Sequence, residues 1–130
     1  MQGIIIDTSV WIEFFRGRLS PGSINIVQKF LEIELAYLTD IIKHEILIGS
    51  RNDSEYKKLS YLISAIHILD FNPEMKIEFN SFAFSLKKKG FINNYTDLSI
   101  AFISNYYDIP VYSFDGYFEK LSNAGVIKSF

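Results

Sequence analysis

The chain has 130 residues, 48% of them apolar, which is enough for one domain with its own core. It has no cysteine, which excludes disulfide staples, thiolate chemistry and sulfur-ligated zinc. A net charge of −2 gives no overall pull toward nucleic acid, so any surface that binds phosphate has to be local.

The opening Met-Gln-Gly-Ile-Ile-Ile-Asp has no basic leader, and its apolar run is too short for a signal peptide. No stretch approaches the roughly 20 apolar residues that cross a bilayer. A cytoplasmic location with no membrane partner is therefore expected.

Strand and helix patterns then alternate. Ile4, Ile5 and Ile6 form a β-branched run of the kind found in strands buried on both faces. Thr8 or Ser9 can cap a helix to about Arg16. Ser20-Pro21-Gly22 is a turn, and Ser23 starts a second helix with Ile26, Val27, Phe30 and Leu31 on one side. Residues 35–39 predict a second strand. Asp40 caps a helix to about Ser50, and Arg51-Asn52-Asp53 breaks it. Another helix runs to about Ala65 with Leu59, Leu62, Ile63 and Ile66 inward, overlapping a short strand from Ile66 to Leu69. Asn72-Pro73 opens a long helix carrying Ile77, Phe79, Phe82, Phe84 and Leu86, stopped by Gly90. Residues 96–107 predict the next helix, 109–113 a strand and 117–123 a short helix ended by Ala124-Gly125. Val126 and Ile127 predict a last strand. Strands separated by helices pair in parallel through right-handed crossovers. The expectation is an α/β fold, with a central parallel sheet of about five strands between helical layers, forming a single domain over residues 1–130.

Four acids punctuate this pattern, and in such folds the carboxyl ends of strands and the starts of the following helices share one edge. Asp7 follows the first strand; alone, it reads equally well as a cap or an Asx turn. Glu45 shares a helical face with Ile41 and Ile48, on a stripe that Leu38, Ile42 and Gly49 extend. A glutamate there needs its charge satisfied, by a cation or an ion pair. Asp97 lies in the first turn of its helix, where the dipole favours acids in any case. Asp115, two residues after Ser113, precedes Gly116 and also suits a turn. Each has a bland explanation, but four in register are more specific. Gathered together, they would repel one another without a divalent cation, which points to metal and phosphate chemistry. The remaining acids fall on polar faces or helix ends, and Asp40 and Asp53 read as caps.

His44 neighbours Glu45 but points elsewhere on the helix, and His67 reads as a strand residue facing solvent. Trp11 reads as a core anchor. Lys87, Lys88 and Lys89 read as a solvated helix end or a basic rim. The apolar content of the 72–90 helix exceeds what one face can bury, which suggests a partner surface.

Ile-Ile-Ile-Asp-Thr-Ser-Val-Trp-Ile, His-Glu-Ile-Leu-Ile-Gly, Thr-Asp-Leu-Ser-Ile-Ala and Tyr-Ser-Phe-Asp-Gly-Tyr-Phe, in this order and spacing, resemble PIN-domain nucleases over residues 3 to 127. Compact members of this type look like VapC, the toxin ribonuclease of VapBC toxin–antitoxin pairs. The resemblance implies a five-stranded parallel sheet, a Mg²⁺- or Mn²⁺-dependent endoribonuclease acting on RNA, a homodimer and an inhibitory antitoxin. Asp7, Glu45, Asp97 and Asp115 match the acidic quartet, with Asp7 and Asp97 as the main direct ligands. Ser9 and Ser113 match the small hydroxyl positions that support them. Arg16 is placed near the mouth of the site. The chain departs from the family where a basic residue often flanks the fourth acid: here no Arg or Lys follows Asp115 until Lys120.

Other readings have weaker support. A haloacid-dehalogenase-type phosphatase needs a second Asp where Ser9 stands. A receiver-like module wants an acidic pair near the N-terminus and a lysine after its last strand. A catalytically silent PIN-like scaffold for RNA or protein binding is the remaining alternative, and the presence of all four acids weighs against it.

Overall fold

The computed structural model describes residues 2–130. Four parallel strands form the sheet among these residues: β1 (Ile4–Ile6), β2 (Ala36–Thr39), β3 (His67–Leu69) and β4 (Val111–Tyr112), in the order β3-β2-β1-β4. Ile5 of β1 pairs with Tyr37 of β2 on one side and with Val111 of β4 on the other. The helices are α1 (Thr8–Phe15), α2 (Pro21–Glu32), α3 (Asp40–Ile48), α4 (Asp53–Ile63), α5 (Met75–Lys88), α6 (Tyr95–Tyr107) and α7 (Gly116–Asn123). None of them is long and apolar enough to cross a membrane.

The isoleucine run behaves as its composition requires. Ile4, Ile5 and Ile6 are fully buried at the centre of the sheet, with Leu38 beside them. The helices clamp both faces through Val10, Trp11, Val27, Ile42, Ile46, Ile100 and Ile103, all buried. At about 1.5–3 kcal/mol for each large apolar side chain withdrawn from water, this core is the main stabilising term.

Several expected boundaries shift, because capping side chains sit one or two residues earlier than the apolar pattern suggests. Ser20 caps α2 by accepting from the Ser23 amide, Thr39 caps α3 through the Ile42 amide, and Asn52 caps α4 through the Glu55 amide. Asp40 and Asp53 are therefore first-turn acids rather than caps. The cap position of α1 falls on Asp7, without a side-chain cap bond, and not on Thr8 or Ser9.

The expected fifth strand is absent among the described residues. Gly125 turns the chain at φ +75°, and the Val126 amide bonds back to the Leu121 carbonyl at 2.9 Å, closing the end of α7. The Val126 carbonyl accepts from the Asn105 side chain at 2.8 Å. With both backbone groups engaged, this segment has nothing to offer a strand ladder; Ile127 is buried as a plug instead.

Gly3 is required by close approach. A Cβ there would meet the Tyr37 ring and would lie 2.8 Å from the Leu35 carbonyl oxygen. The Ile4 amide uses that same carbonyl in the first rung of the β1–β2 ladder.

The core-facing stripe of α3 is rotated from the expected one. Ile42 and Ile46 are buried, while Ile48 is 72% exposed. Glu45 therefore stands at the rim of the core and not within it.

Candidate active site

β1 has β2 on one side and β4 on the other, so the chain reverses its winding direction between β1 and β4. That switch opens a crevice at the carboxyl edge of the sheet. Asp7 leaves β1 at this crevice, after its amide completes the ladder to the Tyr112 carbonyl of β4. Its side chain is 7% exposed.

Serines on both sides hold the Asp7 carboxylate. The Ser113 hydroxyl donates to Oδ2 at 2.7 Å and the Ser9 hydroxyl at 3.3 Å. The Ser113 oxygen in turn accepts from the Asp115 amide at 2.9 Å. The loop after β4 is thereby latched onto the end of β1. Burial pushes the Asp7 carboxyl above its usual range; bonds from Ser113, the Thr8 backbone and Ser9 pull it down, and the Asp115 charge pushes it up again.

Three further elements bring the other acids. Asp97 projects from the first turn of α6, which Asn94 caps by accepting from the Asp97 amide at 2.8 Å. Its pKa is pushed up to about 6, first by burial and then by the charges of Asp115, Asp7 and Glu45. Asp115 caps α7 by accepting from the Tyr117 amide at 3.0 Å. Glu45 extends from α3 and accepts from the Thr8 hydroxyl of α1 at 2.7 Å. Four acids that are distant in sequence thus act electrostatically on one another.

Their oxygens do not form a closed ligand cage. Among the described residues, no group of three or more acidic, histidine or cysteine side chains is gathered closely enough to hold a metal ion. The two observations are compatible, because charge repulsion reaches farther than direct coordination. The donor set consists of carboxylate and hydroxyl oxygen, which suits a hard divalent cation that keeps several waters and takes one or two carboxylates directly.

Three contributors carried no sequence signal. Thr8 read as a cap but braces Glu45. Asn94 caps α6 by accepting from the Asp97 amide, and its side chain lowers the Asp97 pKa against the other effects. The Tyr117 hydroxyl donates to the Phe91 carbonyl at 2.8 Å; burial and the charges of Asp97 and Asp115 push its pKa up to about 12. Its hydroxyl thus stays protonated beside the cluster. An Asp-Gly-Tyr sequence reads only as a turn.

Arg16, expected near the mouth, is engaged with α3 and α4. It bonds the Gly49 carbonyl at 3.5 Å and pairs with Glu55 at 3.7 Å, while Arg51 pairs with Glu55 at 2.7 Å. Lys87, Lys88 and Lys89 are exposed at the end of α5, with the Lys88 ammonium 5.0 Å from the Phe84 ring centre. His44 and His67 are exposed, and Trp11 is wholly buried, as expected.

Residues 4–124 match the family model described as the PIN domain. The chain is similar in structure to VapBC2 from Rickettsia felis bound to a DNA fragment from their promoter, with a TM-score of 0.76 and 17% identity over 92% of this chain and 93% of that one. It is also similar to DNA-bound VapBC from Salmonella typhimurium, with a TM-score of 0.61 and 18% identity over 81% of this chain and 80% of that one. At these identities the likeness shows the fold alone. Comparison with curated protein sequences gives no match.

Proposed function

This chain belongs to the PIN-domain family, and from that premise we propose that it is a metal-dependent endoribonuclease, the toxin of a type II toxin–antitoxin pair. The observation that carries the reading is Asp97, raised to about 6 first by burial and then by three carboxylates from three other elements. Mutual repulsion of this kind makes a poor structural feature and a good cation site.

In this reading Asp7, Asp97, Glu45 and Asp115 hold Mg²⁺ or Mn²⁺, with the first two as the main direct ligands. The bound ion supplies a water of lowered pKa and neutralises charge on the scissile phosphate. The chain's own residues set the geometry. Ser9 and Ser113 fix the Asp7 carboxylate in one orientation, Thr8 fixes Glu45, and the α7 cap fixes Asp115. Asp7 and Asp97 are the acids whose protons are held more tightly than usual and must leave for the site to carry full charge. The donor set and the exposed position of His44 favour hydrolysis leaving a 5′-phosphate and a 3′-hydroxyl over histidine-driven attack by the 2′-hydroxyl.

The partners follow from the same reading: an RNA substrate, a cognate antitoxin, a second copy of the chain, and a cytoplasmic setting. The VapBC assemblies among the similar structures support the antitoxin. Ile77 at 79% and Phe84 at 60% exposure on α5 support a homodimer surface.

Incubating purified chain with total RNA, in EDTA and then with Mg²⁺ or Mn²⁺, tests the proposal. Cleavage should stop in chelator, return with metal and vanish in Asp97→Asn. Cleavage that persists in chelator overturns the metal mechanism. A parent chain that cuts nothing and does not respond to Mn²⁺ would favour the scaffold alternative.

A further inference from the structure

Behind the acid cluster, across the first turn of α6, lies a second cavity of about 260 Å³. Asp40 and His44 of α3, Phe71 after β3, Lys76 of α5, and Tyr95 and Ser99 of α6 line it. Tyr95 and Ser99 are four residues apart and share one helix face, whereas Asp97 lies between them on the opposite face. One helix, about 10–12 Å across, therefore separates this cavity from the acids. α3 is shared in the same way: His44 lines the cavity while Glu45 beside it reaches Thr8.

Lys76 is the unusual residue in this cavity. Its ammonium lies 4.1 Å from the centre of the Phe71 ring and donates to the Tyr95 hydroxyl at 3.2 Å. It takes part in none of the ion pairs formed among the described residues. Lys76 remains exposed to water, yet its ammonium is directed over the Phe71 ring and toward the Tyr95 hydroxyl. The cavity thus combines aromatic walls, one directed cation and, in Asp40, one carboxylate at the rim.

We propose that this cavity receives one unpaired base of the RNA, from a nucleotide close to the scissile phosphate. The base stacks against the Tyr95 ring, with an exocyclic carbonyl on Lys76, whose ammonium covers Phe71. Aromatic stacking and contacts to a splayed base edge are how proteins read single-stranded RNA, and a base inside a duplex cannot enter such a cavity. The inference rests on the nuclease reading, and adds to it a position of base dependence.

The test separates the two claims by measuring binding without cleavage. In the Asp97→Asn background, fluorescence anisotropy follows a labelled RNA containing a mapped cut site, and a series in which one base at a time is removed. Base removal at one position near the cut should weaken binding roughly tenfold. Adding Tyr95→Ala or Lys76→Met should weaken binding of the intact RNA to a similar degree and abolish the penalty at that position, since the two losses describe one contact. Tyr95 is 53% exposed, so Tyr95→Ala should fold, and the melting temperature checks this. Equal binding of every base-removed RNA, or an unchanged penalty in both variants, overturns the pocket. So does a change of sedimentation mass in Tyr95→Ala with base dependence intact, which would assign the cavity to a second copy of the chain. If the parent chain fails to cleave, the nuclease reading falls; the series is then run on an unstructured RNA with every base removed in turn, and the absence of any position whose penalty Tyr95→Ala or Lys76→Met abolishes overturns the pocket.

Discussion

Asp97→Asn replaces the most perturbed acid with a neutral side chain of the same shape. The shift from an ordinary 3.8 to about 6 corresponds to about 3 kcal/mol at 1.36 kcal/mol per pH unit. The carboxylate is partly open to solvent, so screening reduces this to about 1–1.5 kcal/mol. The substitution also forfeits roughly 0.5 kcal/mol of attraction to the α6 N-terminus, leaving a net gain of about 1 kcal/mol. The sign follows from linkage: a carboxyl with a folded pKa above its unfolded value binds its proton more tightly when folded. Its stabilising contribution is complete below about pH 4 and is lost as the pH rises through 6. In EDTA at pH 7.5, Asp97→Asn should therefore melt about 3–5 °C above the parent, with the gap closing at pH 4. Asp7, raised in the same direction, leaves a residual slope in both proteins. Thermal melts followed by circular dichroism between pH 4 and 7.5 measure the effect. If Asp97→Asn melts no higher than the parent at pH 7.5, or the parent curve is flat across this range, burial and the neighbouring acids do not perturb Asp97 as described.

Ser113→Ala removes a donor to Asp7 and an acceptor of the Asp115 amide. It should cost about 1.5–3 kcal/mol in urea unfolding, the range for a hydrogen bond to a charged group. Gly3→Ala should cost about 1–3 kcal/mol, because the added methyl meets the Leu35 carbonyl at 2.8 Å. Gly116→Ala meets nothing within 4 Å at the first residue of α7 and should be neutral or slightly stabilising in the same assay.

The sheet was legible in the sequence where periodicity and burial coincide. The run from Ile4 to Ile6 can only be a two-sided strand, and it became the centre of the sheet. The end of the chain was not legible, because Val126 and Ile127 have strand composition while backbone bonds to Leu121 and Asn105 withhold them from a ladder. The first is a local helix-end bond and the second is tertiary, and neither leaves a periodic trace. The acids were legible as positions but not as environments. Asp7 and Asp97 are marked by following a strand and opening a helix, but the order of the perturbations on each depends on burial and on neighbours that are distant in the chain. The Glu45 stripe was right at Leu38 and Ile42, which are buried, and wrong at Ile48, which is exposed while Ile46 turns inward, since all these residues are equally apolar. Only the packing partner decides which of them turn inward.

Thr8→Val tests whether the bracing of an acid matters independently of the acid itself. Thr8 lies next to Asp7 in sequence, yet its hydroxyl serves Glu45, 37 residues away and on another helix, at 2.7 Å. Valine has nearly the same volume, and position 8 is half-buried, so neither a cavity nor a clash follows. The folded state should lose about 0.5–1.5 kcal/mol, the usual net worth of one hydrogen bond. Function should suffer more under the nuclease reading, because partners that orient a metal-binding carboxylate typically affect affinity or activity by about 10–100-fold. The expected result is a near-parental melting temperature in EDTA with the Mg²⁺ or Mn²⁺ concentration for half-maximal cleavage raised at least tenfold. A rise in metal requirement without a loss of fold would place Glu45 in the ion site through an interaction that no motif encodes. An unchanged metal requirement would mean that Glu45 adopts its working orientation without Thr8, and that the α1–α3 contact is purely structural.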